Sequence, residues 1–278
     1  MKIRVPLFSS TTRSLFTRAL GIGLPIAAAL LFVSTAHAQQ LRAAAASDLQ
    51  FAMKDLAARY EAQSGQALAI TYGSSGNFAT QIENGAPFDL FFSADISYPQ
   101  KLIEGGLAER QTLYSYAFGR LVLWAPSDAH LHLAEKGLSV LVDPQIRKIA
   151  IANPEHAPYG RAAVAVLQKA GLYEQVKSKL VFGENISQAA QFVQSGNAQV
   201  GFVALSLAIS PAMSTGDRWL VPAELHPPLE QAAVVIRASN NKSAAAKFLD
   251  FVKSAAGREI LARYGFTTAP PPAAGVKP

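Results

Sequence analysis

Leu41-Arg42-Ala43-Ala44-Ala45-Ala46-Ser47-Asp48-Leu49 and Ala67-Leu68-Ala69-Ile70-Thr71-Tyr72-Gly73-Ser74-Ser75-Gly76-Asn77 share one pattern. Each runs a short apolar segment of strand length into a serine-bearing turn, and each turn opens a helical periodicity. After Ser47, the residues Leu49, Ala52, Met53, Leu56, Ala57 and Tyr60 fall on one helical face, and Gly65 stands where a C-terminal glycine belongs. The first backbone N–H groups of a helix lack intrahelical partners and sit at the positive end of its dipole, so such an end attracts anions. Two such ends, each with a serine hydroxyl and no Lys or Arg beside it, predict a site that holds an oxyanion by hydrogen bonds alone. That is binding rather than chemistry.

The same alternation continues along the chain. Apolar runs predict strands at Leu41–Ala46, Ala67–Tyr72, Phe88–Phe92, Leu121–Ala125, Lys148–Ala152, Leu180–Phe182, Val200–Val203 and Ala232–Arg237. Helical patterns lie between them, at Asn77–Glu83, Tyr98–Glu104, Gly160–Ala170 and Ser187–Gln194, and two more, Lys242–Ser254 and Gly257–Tyr264, close the chain. Strands and helices in alternation predict an α/β fold with mainly parallel sheets. Two stretches, Gln111–Phe118 and Val221–Gln231, interrupt it, the second with Pro222, Pro227 and Pro228. Read as two crossings between lobes, they divide the chain into 39–118 plus 230–268 and 119–229. A ligand is expected in the cleft between the lobes. The Pro/Ala-rich end, 269–278, is expected to be a disordered tail.

Residues 1–38 read differently from the rest. Lys2, Arg4, Arg13 and Arg18 precede an apolar run from Ala19 to Val33, and Ala36-His37-Ala38 fits a small-residue cleavage pattern. A cleavable signal peptide ending at Ala38 is expected, with no membrane insertion once it is removed. Without those four cations, 21 basic residues face the 19 acidic ones, so most of the formal charge of +6 belongs to the leader. No basic cluster remains to predict nucleic-acid binding. Cysteine is absent, which excludes disulfides and a lipid-modified cysteine anchor. An exported protein of this kind is expected in a Gram-negative periplasm, with monomer as the default state.

Signals for catalysis are sparse. A nucleophile elbow needs a glycine two residues after its serine, and Asn77 stands there after Ser75. His130 and His132 lie in a polar linker without metal-site spacing. His156 sits in a loop near the expected site, while Asp89 and Asp95 read as a strand end with a helix cap nearby. The chain is therefore not expected to be an enzyme, and a serine hydrolase using Ser47 or Ser75 is a remote alternative. Two further strand-to-helix junctions strengthen the binding reading. They are Asn153-Pro154-Glu155-His156-Ala157-Pro158-Tyr159-Gly160 and Gly183-Glu184-Asn185-Ile186-Ser187, with Asn185 or Ser187 available as a cap. Any one of the four is an ordinary connection. Two in each lobe predict a ring of donors.

The sequence resembles the periplasmic molybdate-binding proteins of ABC transporters. The resemblance is carried by Ala43–Leu49, the Gly73–Gly76 turn, the run Ala86–Asp95, the loop Asn153–Gly160 and Arg263-Tyr264-Gly265-Phe266, in that order over Gln40–Thr268. It implies a two-lobed type II periplasmic binding protein fold with the ligand cleft between its lobes. It further implies capture of molybdate or tungstate for an ABC permease, with no cofactor. Residue by residue, it implies that Ser47 and Ser75 bind the oxyanion through hydroxyl and backbone N–H, that the Asp48 N–H adds to them, and that the backbone N–H groups of Tyr159 and Ile186 complete the shell. No direct metal–protein bond is implied, since molybdenum would be held only as its oxyanion. Many relatives place a tyrosine donor where this chain has Ala204. Another tetrahedral oxyanion, sulfate or phosphate, is the alternative ligand.

Overall fold

The computed structural model describes residues 40–269. The expected signal peptide and all but the first residue of the expected tail lie outside them. The opening pattern folds as its residues dictate. β1 (Leu41–Ala46) turns at Ser47–Leu49 into α1 (Gln50–Ser64), and Gly65 ends α1 in the left-handed conformation with φ of 71°. There follow β2 (Leu68–Gly73), α2 (Ser75–Glu83), β3 (Leu90–Ser93), α3 (Ser97–Glu104) and β4 (Tyr114–Gly119). A second set comprises β5 (Leu121–Ala125), α4 (Leu133–Lys136), β6 (Ile149–Ala152), α5 (Pro158–Lys169), α6 (Tyr173–Val176), β7 (Leu180–Gly183), α7 (Ile186–Gln194), β8 (Val200–Ala204), α8 (Leu205–Ala208) and β9 (Asp217–Leu220). The chain then returns through β10 (Leu229–Val235) to α9 (Lys242–Lys253) and α10 (Ala255–Arg263).

These elements build two five-stranded sheets, ordered β2-β1-β3-β10-β4 and β7-β6-β8-β5-β9. Each forms the centre of one lobe of a two-lobed α/β fold. Both sheets are mixed, which corrects the expectation of mainly parallel ones. β1 pairs parallel with β2 and β3, and β6 parallel with β7 and β8, but β10 and β5 each run antiparallel to both of their neighbours. The reason is topological: β5 and β10 are the strands on which the chain enters one sheet and re-enters the other, without a helical crossover to reverse its direction.

The expected crossings need correction too. Most of Gln111–Phe118 is not a break, because Tyr114–Gly119 forms β4, an edge strand paired to β10 from Leu229↔Gly119 to Ala233↔Tyr114. The passage from one sheet to the other is Arg120 alone, between β4 and β5. Within Val221–Gln231 only the first part is irregular, since β10 already begins at Leu229. The sequence pattern also missed β9, where polar Asp217 and Arg218 share an edge strand with Trp219 and Leu220.

Each sheet is buried by helices on its faces. In the first lobe Leu49, Met53 and Leu56 of the α1 side pack with Phe92 of β3 and with Phe248 and Leu249 of α9. Phe248 is fully buried, with its ring 5.1 Å from Tyr60 and 5.9 Å from Phe92 in edge-on geometry. The second lobe closes around Leu121, Leu123, Ile149, Ile151, Val166 and Phe202. Phe248→Ala is expected to cost about 3–5 kcal/mol of stability through lost burial and the remaining cavity. Urea denaturation of the purified protein checks it.

Candidate functional site

The four strand-to-helix junctions singled out in the sequence meet at one small cavity. Its wall includes Ser47, Asp48, Ser75, Tyr159 and Ile186, together with Ala46, Gly73, Ser74, Ala94, Ala157, Pro158 and Asn185. Lys and Arg are absent from this wall. The cavity is small, and its wall is made of short side chains and helix-opening backbone.

Local sequence explains how each junction presents donors. Ser75 is the first residue of α2 and Ile186 the first of α7, and Ser47 opens the turn that leads into α1. Such positions carry backbone N–H groups without intrahelical acceptors. In α5 the first residue is Pro158, which has no N–H and is pre-set for a helix start, so Tyr159 offers the first amide. Asn185 caps α7, its Oδ1 accepting from the Gln188 N–H at 3.1 Å. The serine hydroxyls are oriented as donors by what they accept. The Ala94 N–H donates to Ser75 Oγ at 2.9 Å, and the Ser187 N–H to Ser47 Oγ at 3.3 Å. With a backbone amide on the oxygen, each hydroxyl proton is left for another acceptor. Both serines are buried, Ser75 completely.

The lobes approach closely around this cavity. The Gly76 N–H donates to the His156 carbonyl at 2.9 Å, and a Cβ at Gly76 would lie 2.7 Å from that oxygen, so a glycine is required here. His156 Nδ1 lies 2.9 Å from Ser74 Oγ, Asn77 Nδ2 donates to Glu184, and the Ser187 hydroxyl donates to the Ser47 carbonyl at 3.0 Å. Arg161 binds Asp95 at 2.5 Å and the Tyr98 hydroxyl at 2.9 Å. Asp95 Oδ1 also accepts from the Ser97 N–H two residues on, in a turn that leads into α3, whose N-cap is Ile96. Asp89 accepts from the Arg42 N–H, Ser239 and Asn241, which fixes it as a structural group. Among the described residues no group of three or more His, Asp or Glu side chains is arranged to hold a metal ion.

Asp48 is the exceptional member of the wall. It is 1 % exposed, and its Oδ2 accepts from the Tyr159 hydroxyl at 3.0 Å and from Gln231 Nε2. Its backbone carbonyl accepts from Ser206 Oγ at 2.7 Å. The Tyr116 hydroxyl donates to Gln231 Oε1 at 2.8 Å and so turns the Gln231 amide toward Asp48. Burial raises the Asp48 carboxyl from 3.8 to about 6, against the opposing effect of Gln231, Tyr159 and the neighbouring backbone N–H groups. Burial and the nearby Asp48 together hold the Tyr159 hydroxyl well above its usual range. The sequence pattern included Asp48 and Tyr159 only through their backbones. Gln231 and Tyr116 fell in stretches read as lobe crossings, and the available signal was one glutamine in the otherwise apolar Ala232–Val235 neighbourhood.

Because the ionised form is the one disfavoured in the folded protein, Asp48 contributes full stability below pH 3.8 and loses it as the pH rises to about 6. Asp48→Asn does not titrate. Its stability relative to the parent is therefore expected to rise by up to about 3 kcal/mol between acid and neutral pH. Urea denaturation of both proteins on each side of that interval measures the difference.

The family of bacterial extracellular solute-binding proteins matches residues 41–267. The molybdate-binding protein ModA of Rhodobacter capsulatus is 40 % identical, over 90 % of this chain and 92 % of its own length. ModA of Azotobacter vinelandii is 39 % identical over 89 % of this chain and 95 % of its own. The solved periplasmic molybdate-binding protein of A. vinelandii superposes with a TM-score of 0.78 at 35 % identity, covering 83 % of this chain and all of that one. A family match across both lobes, joined to relatives that align nearly end to end, places this chain among the bacterial extracellular solute-binding proteins.

Proposed function

We propose that this protein captures molybdate, and tungstate with it, in a Gram-negative periplasm and delivers it to an ABC permease. The observation that carries the reading is the convergence of four helix-opening junctions, two from each sheet's half of the chain, on one cavity whose wall holds no Lys or Arg. In this reading Ser47 and Ser75 donate through hydroxyl and backbone N–H, and Asp48, Tyr159 and Ile186 through backbone N–H. The kinship with ModA proteins from two bacteria supports molybdate as the ligand. A signal peptide cleaved after Ala38 would export the chain, which would act as a monomer. We keep the lobe division at 39–118 with 230–268 and at 119–229, apart from Gly119 and Leu229, which pair in the first sheet and go with its lobe.

The chemistry fits an oxyanion bound intact. A dianion taken out of water must recover its hydration from the protein, and hydrogen bonds to a charged acceptor each contribute about 1.5–3 kcal/mol. A rigid shell of donors also reads size. Sulfate has shorter bonds and would leave some donors stretched, whereas molybdate and tungstate are nearly alike and should be poorly separated. No bond is made or broken, and the amides that donate to Ser47 Oγ and Ser75 Oγ give neither serine a general base.

Isothermal titration calorimetry with molybdate, tungstate, sulfate and phosphate tests the reading. One-to-one binding of the first two without the others is expected. Ser47→Ala and Ser75→Ala should each weaken molybdate binding by about ten- to a hundredfold. Silence with both molybdate and tungstate overturns it.

A further inference from the structure

The carboxyl in the cavity wall supports a deeper statement about how an anion is held, and it rests on the capture reading above. The two oxygens of Asp48 are in unlike surroundings. Oδ2 accepts from the Tyr159 hydroxyl and the Gln231 amide, whose orientation is fixed by the Tyr116 hydroxyl on its other end. Oδ1 is buried and has no hydrogen-bond partner. A buried polar atom without a partner is costly, and in a residue that lines a ligand cavity the missing partner can come from the ligand or from a proton.

The choice between those two follows from charge. The groups that act on the carboxyl are Tyr116 from β4, Tyr159 from α5, Gln231 from β10 and the N–H groups of Asp48 and Leu49. None of these brings a positive charge. An ionised Asp48 would therefore face a bound dianion with no countercharge between them, which strongly favours its neutral form. The hydrogen-bond pattern also decides where the proton goes. Oδ2 already takes two donors, so the free site is Oδ1, the unpartnered oxygen of a residue that lines the cavity.

We propose that Asp48 is the proton-bearing donor of the site: the anion is held by a neutral Asp48 whose Oδ1–H donates to one of its oxygens, so each dianion is captured together with one proton. The proton comes from solvent, bonds to Oδ1, and returns to solvent on release, while the anion itself is unchanged. The upward pull of burial on the carboxyl, to about 6, acts in the same direction before any anion arrives. The ligand class that fits is a fully deprotonated tetrahedral dianion, which can only accept. Hydrogen phosphate carries a proton of its own and would instead pair with the ionised carboxylate.

Calorimetry of the protein with sodium molybdate, in pairs of buffers with different ionisation enthalpies, counts the protons directly. Uptake is expected to approach one proton per anion above about pH 7, with affinity falling by up to tenfold per pH unit toward about pH 8.5. Asp48→Asn places an N–H donor where the proton would be, and should bind with no proton uptake and a flat affinity over that range. The parent protein alone decides the matter if the variant fails to fold. Molybdate binding by the parent with no proton uptake and no pH slope overturns the proposal while leaving the capture reading intact. An Asp48→Asn variant that keeps the parent's slope overturns it equally. Absence of molybdate heat at every pH overturns both, and phosphate binding without proton uptake in that case reassigns Asp48 as an acceptor.

Discussion

A charge can be buried only against groups already held in place, and that constraint organises this molecule. Helix-opening amides are donors that the backbone itself positions, without a side chain to order and without a countercharge to desolvate. The chain supplies them by repeating one local device, a strand that ends in a tight turn and starts a helix. The sheets serve to aim those ends. In the first sheet β1 lies between β2 and β3, so the turns after β1 and β2 emerge side by side at the carboxyl ends of parallel strands. In the second sheet β6 and β7 are parallel neighbours and do the same for α5 and α7.

How the two ends face one another depends on the chain passing between sheets with almost no loop. β4 and β5 are separated by Arg120 only, yet they belong to different sheets. The return through 221–228 carries Pro222, Pro227 and Pro228, whose fixed backbone angles limit the paths open to it. A short connection and a stiff one together are the features that would confine any relative motion of the lobes to a hinge. The seam is lined by polar contacts such as Arg161 with Asp95 and Gly76 with His156. Contacts of that kind exchange readily with water, so they can favour closure without locking it.

The parts of this design that are local in sequence were readable there, and the parts that are not local were hidden. Ser47, Ser75 and the junctions at Tyr159 and Ile186 announce themselves within ten residues, through apolar run, turn chemistry and helical period. Tyr114–Gly119 did not read as a strand, since it runs almost directly into β5 and a strand pattern is recognised by the turns that bound it. Gln231 was invisible for a different reason. Its meaning lies 183 residues away, in Asp48, and only the antiparallel register of β10 brings it there. The same holds for the Tyr159 side chain, which is ordinary in its loop and significant only because its hydroxyl crosses to Asp48, 111 residues earlier. Register and lobe geometry decide these contacts, and a single sequence does not encode them in any local pattern.

A site without cations also solves the problem of letting go. A lysine or arginine attracts an anion from whichever lobe bears it, so opening would leave much of the attraction in place. Neutral donors act only at hydrogen-bond distance, and the donors proposed above are divided between the lobes: Ser47 and Ser75 on one, Tyr159 and Ile186 on the other. In the proposed function, opening would remove half of that shell at once and readmit water to the rest. Affinity is then a property of the closed arrangement rather than of either surface, and a partner that holds the lobes apart releases the anion without touching it. By linkage, an anion held in this proposed way would shift the population toward closure only because its shell is complete in that state alone.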